Sequence, residues 1–345
     1  MHDGQEQNNN DGELYEHHRV VAEKGQRPLR IDKFLVNKLG VSRNKIQNAA
    51  DAGNVLVNQK SVKSNYKIKP GDVVSIVMAY PPMEVKLIPE NIPLDIVYED
   101  DDLVVVNKEP GMVVHPGIGH YSGTLINALL YHLKDLPRFE NGEVRPGLVH
   151  RIDKNTSGLL VVAKNEIAMN KLARQFYEKT THREYIALVW GSFRKEEGTI
   201  TGHVGRNLKN RKVMQVFPEG DRGKNAITHY QVMEDLYYVS LVKCRLETGR
   251  THQIRIHFKF IRHPLFNDWE YGGDRIMKGT LTSKYKQFIT NCFHILPRQA
   301  LHAKSLGFLH PSTGKYMHFD SDIPDDMQQV IDKWRNYTAN RSPED

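Results

Sequence analysis

Cysteine is scarce: the 345 residues contain two, Cys244 and Cys292. That is too few for a disulfide framework or a thiolate metal cage, so a reducing cytoplasm is the expected setting. Long apolar runs are missing as well. Stretches such as LLVVA (Leu159–Ala163) fall far short of the ~20 residues that a membrane-spanning helix needs, and the first 27 residues hold no apolar core of a secretory signal. No membrane association is expected. Phosphate cradles of the GxGxxG or GxxxxGKS/T type do not occur, nor does the GxSxG turn of serine hydrolases, nor HExxH. The 17 histidines show no ligand spacing, so no metal is expected.

What the chain does have is positive charge concentrated in one place. Of a net charge of +7, residues 28–80 carry nine lysines and arginines, among them Arg30, Lys33, Arg43 and Lys45, against Asp32, Asp51 and Asp72. A surplus of +6 in so short a segment is the footprint of phosphate-backbone binding. Within it, Ile31, Phe34, Leu35 and Leu39 recur at helical spacing, and Gly40 predicts the stop. Ser42 can cap a second helix over 43–52 that ends at Gly53. VLVN, the pieces around 60–68 and Val73–Val77 read as short strands. Two helices and a small β unit, with the words RIDKFL, SRNKIQ, GNVLVNQK and KPGD, resemble the S4 RNA-binding domain.

Length and a 39% apolar content fit a soluble protein of about two domains. Residues 1–27, polar throughout, predict a disordered tail. Prolines 81, 82, 89 and 93 predict a linker over 81–93. Strands and helices then mix over 94–333 without strict βαβ alternation, which predicts an α+β domain with a mixed, largely antiparallel sheet. Residues 334–345 read as a frayed C-terminal tail.

Four polar words in that larger domain carry the chemistry: KEPGMVVHP (Lys108–Pro116), HRIDKNTSG (His150–Gly158), REYIALVWG (Arg183–Gly191) and LETGRTHQIRIHF (Leu246–Phe258). The last fits a helix with Ile254, Phe258 and Ile261 on one face and Arg255 off it, and fits strand alternation almost as well. Each word is weak alone. In this order and spacing, with RQALHAKSLGFLHPSTG (Arg298–Gly314) behind them, they closely resemble the RluA-type pseudouridine synthases, which isomerise uridine within RNA. RPGLVHRIDKNTSGLLVVAK is nearest to the D-type branch, which modifies large-subunit ribosomal RNA. Departures are small: Ile152 where Leu is usual, and Asn155 where Asp is common.

The resemblance implies the roles. Asp153 is expected as the catalytic aspartate, either attacking C1′ or taking the C2′ proton. Tyr185 is expected to stack on the target base and Arg250 to pair with the aspartate. Arg151 would assist base extrusion, with Lys108, His115 and Arg255 among the substrate-binding side chains. Arg30, Lys33, Arg43 and Lys45 would hold RNA on the S4-like segment. The reaction is an isomerisation, so no cofactor is expected; the partner is RNA, and a monomer is expected. Two alternatives stay open on the sequence. One is an inert S4-type RNA-binding or ribosome-assembly protein. The other is a hydrolase of the same glycosidic bond, which would usually need paired carboxylates.

Overall fold

The computed structural model describes residues 15–51, 53–78, 87–116, 120–133, 147–208, 210 and 213–340, in two compact units divided after Lys86. In the first unit the strands are β1 (Tyr15–Val21), β2 (Leu29–Arg30), β3 (Val55–Val57), β4 (Lys60–Ser61), β5 (Lys67–Ile68) and β6 (Val73–Met78). Helices α1 (Ile31–Leu39) and α2 (Arg43–Asp51) sit between β2 and β3. Ile31, Phe34, Leu35 and Ile46 are buried with Val55, Val57, Ile68 and Val74 in one small core. Gly40 ends α1 in the left-handed region (φ 63°), its N–H returning to the Val36 carbonyl, a geometry that costs glycine least.

β1 corrects the expected 27-residue tail. It pairs antiparallel with β6, Val21 opposite Val73, and extends a sheet ordered β1-β6-β3-β4. YEHHRVV carries too little apolar pattern to announce a strand; a free edge some fifty residues downstream supplies its hydrogen bonds. Residues 1–14 and 79–86, which include Pro81 and Pro82, lie outside the described residues.

The second unit runs β7 (Ile96–Glu99), β8 (Leu103–Lys108), α3 (Leu125–His132), β9 (Gly147–Leu148), β10 (Ser157–Ala163), α4 (Glu166–Glu178), β11 (His182–Trp190), β12 (Glu197–Arg206), β13 (Met214–Phe217), β14 (Lys224–Asp235), β15 (Val239–Leu246), α5 (Gln253–Phe260), α6 (Ser283–Ile295), β16 (Leu301–Leu309), β17 (Tyr316–Asp320) and α7 (Asp325–Ala339). All eleven strands form one sheet, ordered β13-β12-β14-β15-β11-β16-β10-β8-β7, with β17 on β16 and β9 on β10. Every described pairing is antiparallel except β10 with β16, as the mixed composition predicted.

β10 is apolar throughout because both of its faces are covered. Leu160 and Val162 pack with α3 and α5, while Leu159 and Val161 pack with Ala168 and Leu172 of α4. Gly158 (φ +114°) is obligatory where the parallel contact forms: a Cβ there would lie 2.3 Å from the Ala303 carbonyl oxygen. Two expected boundaries move. The linker ends by Leu87, since Leu87 and Leu94 pack on the core and the Asn127 amide donates to the Ile88 carbonyl at 2.8 Å. The C-terminal tail starts later than Trp334, which is 0% exposed in the middle of α7; Tyr337 stacks on Phe288 at 4.8 Å between ring centroids. Neither packing leaves a trace in a local polarity pattern.

Candidate active site

The loop ahead of β10 is clamped at successive residues. The Lys154 carbonyl accepts from Gly111 N–H at 2.9 Å and from Lys108 Nζ at 3.0 Å. The Asn155 carbonyl accepts from Arg298 Nη1 at 3.2 Å, and the Gln299 amide donates to the Thr156 hydroxyl at 3.2 Å. Arg298 is itself held by both oxygens of Asp326. Asp153 leads this loop and is half-buried, its backbone carbonyl bonded to Thr156 N–H. Asp153 and Lys154 are thus held through their backbone carbonyls, on the loop that leads into β10.

LETGRTHQIRIHF folds as the helix α5, and the helix decides which cation meets Asp153. Arg255 Nη1 lies 3.3 Å from Asp153 Oδ2. Arg255 also grips Asp268 bidentately (2.7 and 2.8 Å) and reaches the Glu270 carboxylate. The Tyr271 ring lies 4.9 Å from its Cζ. Burial works against the Arg255 charge, but the hydrogen bonds and charge of Asp268, then Asp153 and Glu270, outweigh it and raise its pKa. His252 stands at the N-terminus of α5 in the left-handed region (φ 55°), bonded to the Tyr271 hydroxyl at 2.8 Å and 3.8 Å from Asp153 Oδ1. Gln253 pins the preceding turn by accepting from Arg250 N–H and from the Thr248 hydroxyl.

Asp153, Arg255, Tyr185, Arg151 and Arg250 line one cavity of about 100 Å³. A second cavity of about 150 Å³ shares Asp153, His252 and Arg255 with it. Tyr185 is buried on β11, and burial raises its phenol pKa, with the Arg183 charge opposing and the Asp153 charge adding. Arg151 is exposed at the rim.

Four expectations are corrected here. The pairing of Arg250 with the aspartate is not formed: Arg250 Nε donates to the Asn225 carbonyl at 3.0 Å, and the partner of Asp153 is Arg255, in the first turn of α5. Arg255 is therefore an anchor for the carboxylate rather than a free substrate-binding group. Lys108 is buried, with Nζ donating to the carbonyls of Glu109, Met112 and Lys154; it holds the loop and does not line the cavity. His115 is exposed, bonded to the Pro116 carbonyl at 2.8 Å, and does not line it either.

A family model described as RNA pseudouridylate synthase matches residues 102–260, and one for the S4 domain matches 29–74. An uncharacterized RNA pseudouridine synthase of Chlorobaculum parvum is 49% identical over 324 residues, covering 92% of this chain and 98% of that one. The chain belongs to the RNA pseudouridine synthases. A ribosomal large subunit pseudouridine synthase D of Zymomonas mobilis is 42% identical over 306 residues, covering 88% of this chain and 92% of its own length. The solved human RNA pseudouridylate synthase domain containing 4 shares the fold, with a TM-score of 0.53 at 21% identity over 70% of this chain and 92% of that one.

In the synthase's S4 unit, the four expected RNA-binding cations divide. Lys33 and Lys45 are exposed. Arg30 and Arg43 converge on Asp32, with Nη2 to Oδ2 distances of 3.0 and 2.8 Å. Burial raises the Asp32 pKa, but the two guanidinium bonds and the Lys33 N–H outweigh it and bring it down to about 2. The arginines thus spend part of their charge on the fold. The sequence reading did not assign Asp268, Glu270, His252 or Gln253. An Asp in NDWEYGG reads as a turn residue, and only the packing of that turn under α5 gives it an arginine.

Proposed function

We propose that this pseudouridine synthase isomerises uridines in large-subunit ribosomal RNA, acting as a single chain in the cytoplasm, with Asp153 as the reacting carboxylate. The observation that carries the reading is the Asp153–Arg255 contact at the wall of a cavity that Tyr185 also lines. The relatives named for the large ribosomal subunit support the substrate, and the cation-rich S4 unit supports an RNA of some length.

The target uridine leaves its stack to enter the cavity, and Arg151, exposed at the rim, would fill the gap. Tyr185 gives the flipped base a stacking face. The Asp153 carboxylate faces a cation at 3.3 Å. Arg255 supplies that cation from a fork already fixed by Asp268. Asp153 then either displaces uracil from C1′ or takes the C2′ proton; uracil turns, C5 joins C1′, and the C5 proton leaves. Against the hydrolytic alternative, Asp153 is the only carboxylate among the described lining residues of the first cavity. Glu184 is drawn towards Lys243 and His182, and Glu247 pairs with His229.

The test is Asp153→Asn, which is nearly isosteric but cannot carry the charge. The variant should fold and bind ribosomal RNA transcripts like the parent while releasing no tritium from uridine labelled at C5. Normal release from a folded variant would remove Asp153 from the chemistry; free uracil from the parent would favour the hydrolase.

A further inference from the structure

Arg183 stands on β11 two residues before Tyr185, on the same face of the strand, and lines the same cavity. The residue is only 8% exposed. Among the described residues its guanidinium makes no ion pair and no hydrogen bond, and Nε is a buried donor with no acceptor. What holds it is the Phe176 ring, 5.4 Å from Cζ, and Gly249, where an added Cβ would come within 3.1 Å of Nη1. His150 stacks on Phe176 at 4.4 Å, and burial and then the Arg183 charge push its pKa down to about 3. Neutral His150 therefore answers none of that charge. A buried cation without an anion is costly, and a fold that keeps one beside a reaction site has a use for it.

The reaction supplies the missing charge. Whether Asp153 attacks C1′ or removes the C2′ proton, the C1′–N1 bond pair leaves with N1, and uracil departs as an anion spread over N1, O2 and O4. The electrons of that anion then form the C5–C1′ bond, the C5 proton leaves and N1 takes one; nothing external is consumed. We propose that Arg183 is a further catalytic residue whose guanidinium binds the departing uracil anion, through its carbonyl oxygens or N1, and so stabilises glycosidic bond cleavage. The inference rests on uridine entering the Asp153–Tyr185 cavity. A backbone phosphate is the other anion an arginine suits, but Arg183 is buried alongside the stacking tyrosine, whereas the rim position belongs to the exposed Arg151.

The experiment compares full-length Arg183→Met and Arg183→Lys with the parent. It reads single-turnover conversion at saturating enzyme, RNA Kd, and thermal unfolding. Substrates are large-subunit rRNA transcripts made with UTP or with 5-fluoro-UTP, and products are followed by nucleoside mass spectrometry. Removing one preorganised donor to a developing anion costs about 100-fold in rate. Arg183→Met should therefore convert uridine about 100-fold more slowly, at unchanged Kd and at equal or higher Tm, because an unpaired buried charge has gone. Arg183→Lys should recover part of the rate. On 5-fluorouridine, which has no C5 proton to lose and so stops after C5 joins C1′, the rate is read as disappearance of the N1-linked nucleoside; there the deficit should shrink, because its anion needs less help in leaving. A normal rate in Arg183→Met overturns the proposal. So does a defect confined to Kd, which is the phosphate outcome, and so do parallel losses of Tm and rate in both variants, which is a purely structural role. An equal deficit on both bases overturns it too. Asp153→Asn in the same assays separates the two readings: if it turns over, the cavity assignment fails, and if it is dead while Arg183→Met is normal, only this inference fails.

Discussion

Arg255 and Asp153 are 102 residues apart in the chain and 3.3 Å apart at Nη1 and Oδ2. Two hydrogen bonds to Asp268, at 2.7 and 2.8 Å, fix the guanidinium that faces Asp153. Lysine offers a point charge without that fork.

Replacing either arginine of the GRTHQIR word should separate their roles. Arg255→Lys leaves Asp268 and Glu270 poorly paired in a buried site, which costs ~3 kcal/mol or more, and it should abolish turnover. Arg250→Ala loses one bond to a carbonyl, worth about 1 kcal/mol, and should retain the fold with reduced activity. Urea unfolding beside tritium release reads both, and the reverse ranking would restore Arg250 as the partner of Asp153.

Lys108→Met should leave RNA affinity intact and slow the reaction, because the loop carrying Asp153 loses its Nζ clamp. A displacement of about 1 Å at a reacting atom can cost ~100-fold. Weakened binding at an unchanged rate would return Lys108 to the substrate-binding set. The pH dependence is a second check. Burial first, then the Arg298 charge, push the Lys108 pKa down to about 7, with Asp153 and Glu109 opposing. The folded value lies below the unfolded one of ~10.4, so between those values the unfolded chain binds more protons. This group's contribution to stability then rises with pH above about 7 and is lost as pH falls through 7. The stability gap between parent and Lys108→Met should widen from pH 7 to pH 9 in denaturant titrations.

Tyr185→Phe keeps the stacking face and deletes a hydroxyl. Kd should hold while product formation drops by about 100-fold, if that hydroxyl takes part in removing the C5 proton. Burial raises the phenol above its usual value near ~10, so the phenolate is scarce at neutral pH. A step limited by it should still be accelerating at pH 9. A flat alkaline profile together with a fully active Phe variant would leave Tyr185 with stacking alone.

Asp32→Asn tests the S4 unit. It strips Arg30, Arg43 and the Lys33 N–H of a shared acceptor, and should destabilise that unit by roughly 2 kcal/mol. The folded Asp32 pKa is depressed, to about 2. Its stabilisation is complete above the unfolded value near ~4 and is lost as pH falls from there towards 2. Hydrogen exchange should show peptides from 15–78 opening in the variant while peptides from 87–340 keep their protection; uniform loss across the chain would contradict a local role.

Much of this was legible from spacing. Ile31, Phe34 and Leu35 mark α1, and Gly40 its end, because helix amphipathicity and glycine stops are properties of neighbouring residues. LLVV marks β10 because a strand covered on both faces must be apolar at every position. Order and wording carried the family, and with it Asp153, Tyr185 and Arg151 in one cavity. β1 was hidden because an edge strand held by backbone hydrogen bonds needs little side-chain pattern, and the end of α7 was hidden because Trp334 and Tyr337 pack on residues distant in sequence, Trp190 and Phe266 for the first and Tyr238 and Phe288 for the second.

The sequence by itself determined the two-part organisation, the α+β class, the positive first segment and the aspartate on its loop, all of which depend on composition or on contacts between near neighbours. Only the tertiary structure decided which arginine answers Asp153. Helical geometry turns Arg255 inward, and the Asp268 turn covers it there. It also withdrew Lys108 and His115 from the cavity and left Arg183 buried in its wall without a counter-charge among the described residues. Those outcomes depend on where groups distant in sequence come to rest and on which charges remain to be paired once water has been excluded, and no local pattern records either.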